Sequence, residues 1–429
     1  MANILEQQGI AYVLWESQSQ VAPPAGASIG LMPNGLRILD QIGVIQDLEQ
    51  YAVPHDAWEH RDGNGTLYCT LRFMRSYPDQ AVARLGYSGF FMERQRLLEI
   101  LYAKVGDKTK VHTSKRLSSV QNFSTHAIIT ATDGSQVSCD FVVGADGVRS
   151  AVRREIEALT PGLQETLDST YFASKYACVY GISNALPQIT PGRFFTVYQS
   201  DASLLIFSGM NGVLYWFLIE DLKTSVEFSE NKRYAAKDIE AAYAKVANTT
   251  VTTGVKFSDI FANRRTAIMT GLEEGIAKNW VRGRMVLMGD AAHKMVPHAA
   301  MGANQAMESA ACFVNHLLDL RGQHGDSIPR NIPTSDIEKC LKSYVQKRCA
   351  RVTNITQSAN FSCRSQLKIG PEAEAFILGL PNMKDEAFLS KILLILSEAE
   401  KLENWKNNSG RVGFYSQQAE KIRQQKQDV

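Results

Sequence analysis

The chain has 429 residues, 45% of them hydrophobic and 21% charged, with a formal net charge of +2. That length carries two or three lobes, and the near-neutral balance excludes a charge-driven nucleic-acid or polyanion partner. The seven cysteines (Cys69, Cys139, Cys178, Cys312, Cys340, Cys349 and Cys363) contain no CxxC pair, which reads as reduced thiols and as neither a disulfide frame nor a zinc site.

Residues Ala2–Gln8 read as the last turns of a helix closed by Gly9. Ile10–Trp15 (IAYVLW) then reads as a buried parallel strand ending at the acidic Glu16. So the chain opens inside a βαβ unit, past the place of a first strand. After the loop VAPPAGASIGLMP, Asn34 is expected to cap a helix with Leu36, Leu39 and Ile42 on one face, stopped at Gly43. From about Val53 to Gly86 short strands and turns are expected, with DGNG at 62–65 as a hairpin signal. MERQRLLEILYAKV (92–105) predicts an amphipathic helix, the DG at 133–134 a second hairpin, and FVVGA a buried strand. From Tyr171 to Phe261 the pattern changes to alternating segments (RFFTVYQ, SLLIFSG, GVLYWFLIE), the mark of an antiparallel sheet. MVLMGDAAH (285–293) returns to the parallel-strand signature, and a small-residue helix follows from Asn304 to Leu320. From about Ser335 the chain reads as helical and charged.

Three constellations carry chemistry. Glu16 stands where a carboxylate ending the second strand of a dinucleotide-binding unit accepts hydrogen bonds from a ribose, although alone such an acid is as readily a solvated strand end. In VVGADGVRSAVRR (142–154) a buried strand runs into a small-residue turn; Asp146 can bind a hydroxyl or anchor the turn, and Arg149 can meet a phosphate. VLMGDAAHKMVPHAAMGANQAMESA (286–310) delivers Gly289 and Asp290 from a strand, then a loop with Pro297, then a helix starting near Gly302 and Asn304 with Ala303, Ala306 and Ala310 on one face. That order suits a flavin: the carboxylate can hold a ribityl hydroxyl, and the helix N-terminus can face the N1–C2=O edge, which turns negative on reduction.

The DG segment, the GD segment and the antiparallel sheet between them resemble the class A flavoprotein monooxygenases, the p-hydroxybenzoate-hydroxylase (PHBH) type. GASIGLMPNGLRILDQIG (26–43), FFMERQRLLEILY (90–102) and GDAAHKMVPHAAMGANQ (289–305) look like the fungal FAD-dependent epoxidases of meroterpenoid and indole-diterpene pathways. The resemblance implies an α/β fold: a discontinuous FAD-binding domain (1–52, 84–160, 262–334), an inserted antiparallel-sheet substrate domain (53–83, 161–261) and a C-terminal helical region (335–429). It implies FAD as cofactor, with Glu16, Gly30, Arg94, Asp146, Gly147, Arg149, Asp290 and Ala303 against it, and NADPH as transient co-substrate. O₂ would be activated as a flavin C4a-hydroperoxide and transferred to a small hydrophobic prenylated or aromatic substrate.

The glycine fingerprint GxGxxG and its strand are missing from the start, which is expected to reflect a truncated start; the alternative is a flavin-free relative without redox activity. Ala300 stands where the family often has glycine. An aromatic hydroxylase of the same fold is the nearer rival, while the halogenase signature WxWxIP does not occur. Tyr198, Phe207, Tyr215 and Trp216 are the pocket candidates, with Tyr215 the choice for a catalytic polar contact. His293 and His298 flank the GD loop without metal-ligand spacing. No secretory signal or run of about 18 apolar residues is found, so an intracellular protein, cytoplasmic or peripherally membrane-associated, is expected, with the stretch Phe388–Trp405 packed on the protein itself.

Overall fold

The computed structural model describes residues 1–24, 28–53, 55–72, 83–160, 172–230, 232–324, 332–406 and 408–427. The turns expected between 73 and 82 lie outside them. The first helix, Ala2–Gln7, closes as expected, with Gly9 at φ +66°. The strand after it is shorter and less buried than its apolar run suggests. Only Leu14–Trp15 pairs, in parallel with Val111–His112, and Val13 remains 47% exposed. The physical reason is pairing on one edge only: among the described residues no strand joins this ladder to the second parallel one, Val142–Gly144 beside Met285–Leu287.

The helix Pro33–Gln41 begins two residues earlier than expected. Met32 is its N-cap and Pro33 supplies the fixed φ of the first turn. Asn34 is therefore not the cap; its amide donates to the buried Glu308 carboxylate at 2.6 Å. Leu36, Leu39 and Ile42 are buried as the periodicity requires, each worth about 2 kcal/mol of burial.

Eight strands form the antiparallel-rich sheet. Their spatial order is His293–Lys294, Arg264–Ile276, Ala173–Ser183, Leu214–Glu227, Ala202–Ser208, Arg193–Tyr198, Ala57–Asp62, Leu67–Leu71. The DGNG hairpin joins the last two. The sheet also takes in Arg264–Ile276, which the expected boundary at 262 assigns to the other lobe. Register sorts the side chains. Phe194, Phe207 and Tyr215 are cross-strand partners on one face, with Trp58 beside Phe194. Neighbours along each strand point the other way, so Phe195, Ile206 and Trp216 share the opposite face, packed with Ala242, Phe257 and Phe261 from the helices Ala236–Ala244 and Phe257–Ala262.

The C-terminal region is helical as expected: Thr334–Gln366, Pro371–Gly379, Asp385–Ser397 and Gly410–Gln427. The segment after Ser397 is fastened to the helix Pro33–Gln41. Arg37 donates to the carbonyls of Ala399 and Glu400, and the buried Trp405 donates its indole N–H to the Gln41 carbonyl at 2.6 Å. The stretch from Phe388 to Trp405 thus packs on the protein. Among the described residues no helix is long and apolar enough to cross a membrane.

Candidate active site

Val142–Gly144 and Met285–Leu287 run in parallel and in register, and the Met288 N–H donates to the Gly144 carbonyl at 2.9 Å. The turns after both strands therefore emerge side by side at the carboxyl ends, where α/β sheets bind ligands. Gly147 (φ +80°) and Gly289 (φ +58°) occupy left-handed backbone in these turns. Asp146 accepts from the N–H groups of Ala151 (2.6 Å) and Val152 (3.4 Å), so its carboxylate starts the helix Ala151–Ala158 together with Ser150. Arg149 donates to the Phe228 carbonyl at 3.1 Å, lies over the Phe228 ring and sits 3.5 Å from Glu273. The arginine that ties the two turns together is Arg153, which sequence reasoning passed over. It is fully buried and donates to Ala291 O (3.0 Å) and Val148 O (2.5 Å).

Asp290 is about one-third exposed and pairs with Lys294 at 2.6 Å. No donor of the described residues reaches its other oxygen. Beyond it, His293 and Lys294 pair with Ile276 and Gly275, so the loop is stitched to the edge of the large sheet. The helix Gly302–Gln323 has no side-chain cap, and its first backbone bond runs from Gln305 N to Met301 O. The N–H groups of Gly302, Ala303 and Asn304 thus have no helical acceptor.

Asn304 fixes this helix start against the second glycine segment. The buried Asn304 side chain donates to Gly30 O (2.9 Å) and Ala300 O (2.7 Å) and accepts from Met32 N (3.0 Å). Gly30 must be glycine for contact reasons: a Cβ there would stand 2.9 Å from the Ala300 Cβ and 3.0 Å from the Phe91 ring. Ala300 itself lies at φ +51°, a left-handed conformation glycine would adopt without cost. Phe91 stacks on Phe207 (3.8 Å between centroids, 11° interplanar), and Phe194 meets both edge-on. The apolar wall of the sheet therefore reaches the loop that carries Ala300.

Of the pocket candidates, Tyr198, Phe207 and Tyr215 lie on this wall. Tyr198 hydrogen-bonds His60 at 2.9 Å. Burial, with the nearby Glu93 adding to it, pushes the Tyr215 phenol up to about 12. Trp216 does not belong: strand alternation turns it to the far face, where it donates to Ser183 at 2.9 Å. Glu16 ends its short strand and accepts from the Gln18 N–H at 2.8 Å. Arg94 opens the helix Arg94–Ala103, directly after the strand Phe90–Glu93 that pairs with Ser28–Leu31; it is exposed and makes no ion pair among the described residues. His293 is buried against Ser309, and burial lowers it to about 3. The structure thus joins Gly30, Ala300 and the Ala303 helix start, and sets the Asp146 and Asp290 turns adjacent. Glu16 and Arg94 stand at the ends of their own elements.

A flavin fits these residues. Three amides at a helix start have no helical acceptor and can donate to an electron-rich ring edge, and a strand-end carboxylate can accept from a ribityl hydroxyl. Residues 1–359 match the model of the FAD binding domain family. The chain is 34% identical over 374 residues to the FAD-dependent monooxygenase ptmM of Penicillium ochrochloron, covering 86% of each chain. It is 32% identical to the FAD-dependent monooxygenase andE of Emericella variicolor, over 93% of this chain and 84% of that one. Among solved structures, Klebsiella pneumoniae HpxO complexed with FAD and uric acid superposes with a TM-score of 0.71 at 21% identity, covering 93% of both chains. The 2,6-dihydroxypyridine-3-hydroxylase from Arthrobacter nicotinovorans does so at 0.66 and 18%, covering 86% of this chain and 90% of that one. The chain belongs to the FAD binding domain family, and its fold is PHBH-like. It is an FAD-dependent monooxygenase.

Proposed function

We propose that this monooxygenase uses NADPH and O₂ to epoxidise a prenyl or terpenoid side chain of a fungal-type secondary metabolite. The observation that carries the reading is the apolar wall of Trp58, Phe194, Phe207, Tyr215 and Phe217 set against the loop of Gly30 and Ala300. Such a wall gains its binding energy from apolar area and discriminates against charged substrates. The fungal relatives named above support the class of reaction.

Bound FAD supplies the two-electron carrier and the means of activating O₂. Within the chain, Asp290 would hold the ribityl end, and the amides of Gly302, Ala303 and Asn304 would stabilise negative charge on the ring edge. Glu16, Gly30, Arg94, Asp146, Gly147 and Arg149 would complete the cofactor and NADPH contacts. The Phe91–Phe207 stack excludes water from the side of the sheet. Tyr215, neutral at physiological pH because burial raises its phenol, would offer an O–H to the substrate.

The test is turnover. FAD-reconstituted protein is given NADPH, O₂ and a farnesylated phenol, and products are read by mass spectrometry. One oxygen atom added at a chain double bond is the expected outcome. Oxygen on the ring instead assigns the protein as an aromatic hydroxylase. NADPH consumption that yields hydrogen peroxide and no oxygenated product with either substrate type overturns the reading.

A further inference from the structure

His55 stands just before the strand Ala57–Asp62, with a ring that is 2% exposed. Among the described residues, neither ring nitrogen has a hydrogen-bond partner. Its ring meets Phe194 edge-on at 3.9 Å between centroids. Phe194 is the centre of the apolar wall: Trp58, Phe91 and Phe207 all pack edge-on against it, and Phe91 in turn abuts Gly30. Burial lowers this imidazole to about 3, so it is neutral and carries one donor and one acceptor nitrogen. Buried polar atoms without partners are rare in native interiors, because each forfeits its bonds to water. An imidazole used only to fill space at this point would be replaced at no loss by a phenyl ring.

We infer that His55 is the polar anchor of the substrate site, hydrogen-bonding a hydroxyl or carbonyl oxygen on an otherwise apolar, ring-bearing substrate. This rests on the epoxidase reading above and adds to it the feature by which substrates are distinguished. A site built to bond an oxygen rejects the analogue lacking it, because the site's own polar group is then left unpaired. The alternative occupation of the His55 N–H, pointed at the face of Phe194, makes no such distinction between ligands.

The experiment is a binding cycle on the FAD-loaded protein, read from the perturbation of the flavin absorption spectrum by 4-farnesylphenol and by farnesylbenzene. Wild type is expected to bind the phenol at least about tenfold more tightly. His55→Phe keeps the ring and is expected to bring the two affinities within about twofold, by weakening only the phenol, with no fall in thermal midpoint. His55→Gln, which retains a donor and an acceptor, is expected to recover part of the preference. If the phenylalanine variant loses flavin, His55→Leu gives the same readout. An unchanged preference in the variants, or no preference in wild type, overturns the role of His55 while leaving the epoxidase reading intact. Failure of both probes to perturb the wild-type spectrum overturns the substrate class and the anchor with it.

Discussion

Replacing Asn304 by alanine removes three hydrogen bonds at once: to Gly30 O, to Ala300 O and from Met32 N. At a net of about 1 kcal/mol each, the loss is about 3 kcal/mol. The bonds do not hold the whole fold. They hold the strand Ser28–Leu31 and the left-handed turn at Ala300 against the helix start. Most of the loss should therefore appear as a smaller fraction of molecules with the flavin cradle formed. A binding-competent fraction reduced by that amount raises the FAD dissociation constant by up to about a hundredfold. The assay is a titration of FAD fluorescence quenching on wild type and Asn304→Ala, with far-ultraviolet circular dichroism as a check on the helices. Asn304→Asp should do no better than alanine, since a carboxylate cannot donate to the two carbonyls. Affinity of Asn304→Ala within about threefold of wild type would refute the role given to these bonds.

Asp290→Ala should weaken FAD binding by about tenfold to a hundredfold through loss of a charged acceptor, whereas Lys294→Met, which only frees that carboxylate, should not; equal losses in both variants would point to a structural role for the ion pair. Ala300→Gly should leave the thermal midpoint unchanged or raise it by an amount equivalent to at most about 1 kcal/mol, the relief of left-handed backbone being offset by a more flexible unfolded chain; Ala300→Val should lower it, and differential scanning calorimetry reads both. Burial opposes ionisation of Glu308, but Arg351 and Arg348 outweigh it and hold its carboxyl at about 2. Because that value lies below the unfolded value of about 4.3, the stabilisation is fully present above about pH 4.5 and is lost as pH falls towards 2. Glu308→Gln should cost about 3 kcal/mol at pH 7, leaving the fully buried Arg348 unneutralised, and urea denaturation at pH 7 and pH 3 should show the cost shrinking at the lower pH.

Strands with clean alternation and punctuated turns could be read from the sequence directly. The DGNG hairpin, the segments RFFTVYQ, SLLIFSG and GVLYWFLIE, and the small-residue helix after the GD loop all stand where expected. The side of the sheet taken by Tyr215 and by Trp216 was not legible, because both faces of that strand are covered by protein and both positions are aromatic. The run IAYVLW promised a buried strand, yet burial depends on neighbours on both edges, which local pattern does not encode. The contacts that build the site also escape pattern reasoning. Asn304 bonds Gly30 across 274 positions, and Arg153 bonds Ala291 across 138. In sequence Arg153 is one of three arginines within six positions, and only the folded chain singles it out as fully buried. Asn34 was mistaken for a cap because its true partner, Glu308, lies on a distant helix.

The most direct measurement is a crystal structure of the chain grown with saturating FAD. The isoalloxazine N1–C2=O edge should lie within hydrogen-bonding distance of the Ala303 amide, with a ribityl hydroxyl on Asp290. A flavin seated elsewhere, with the amides of residues 302–304 turned to solvent or to other protein groups, would contradict the assignment of this loop and helix as the ring's site.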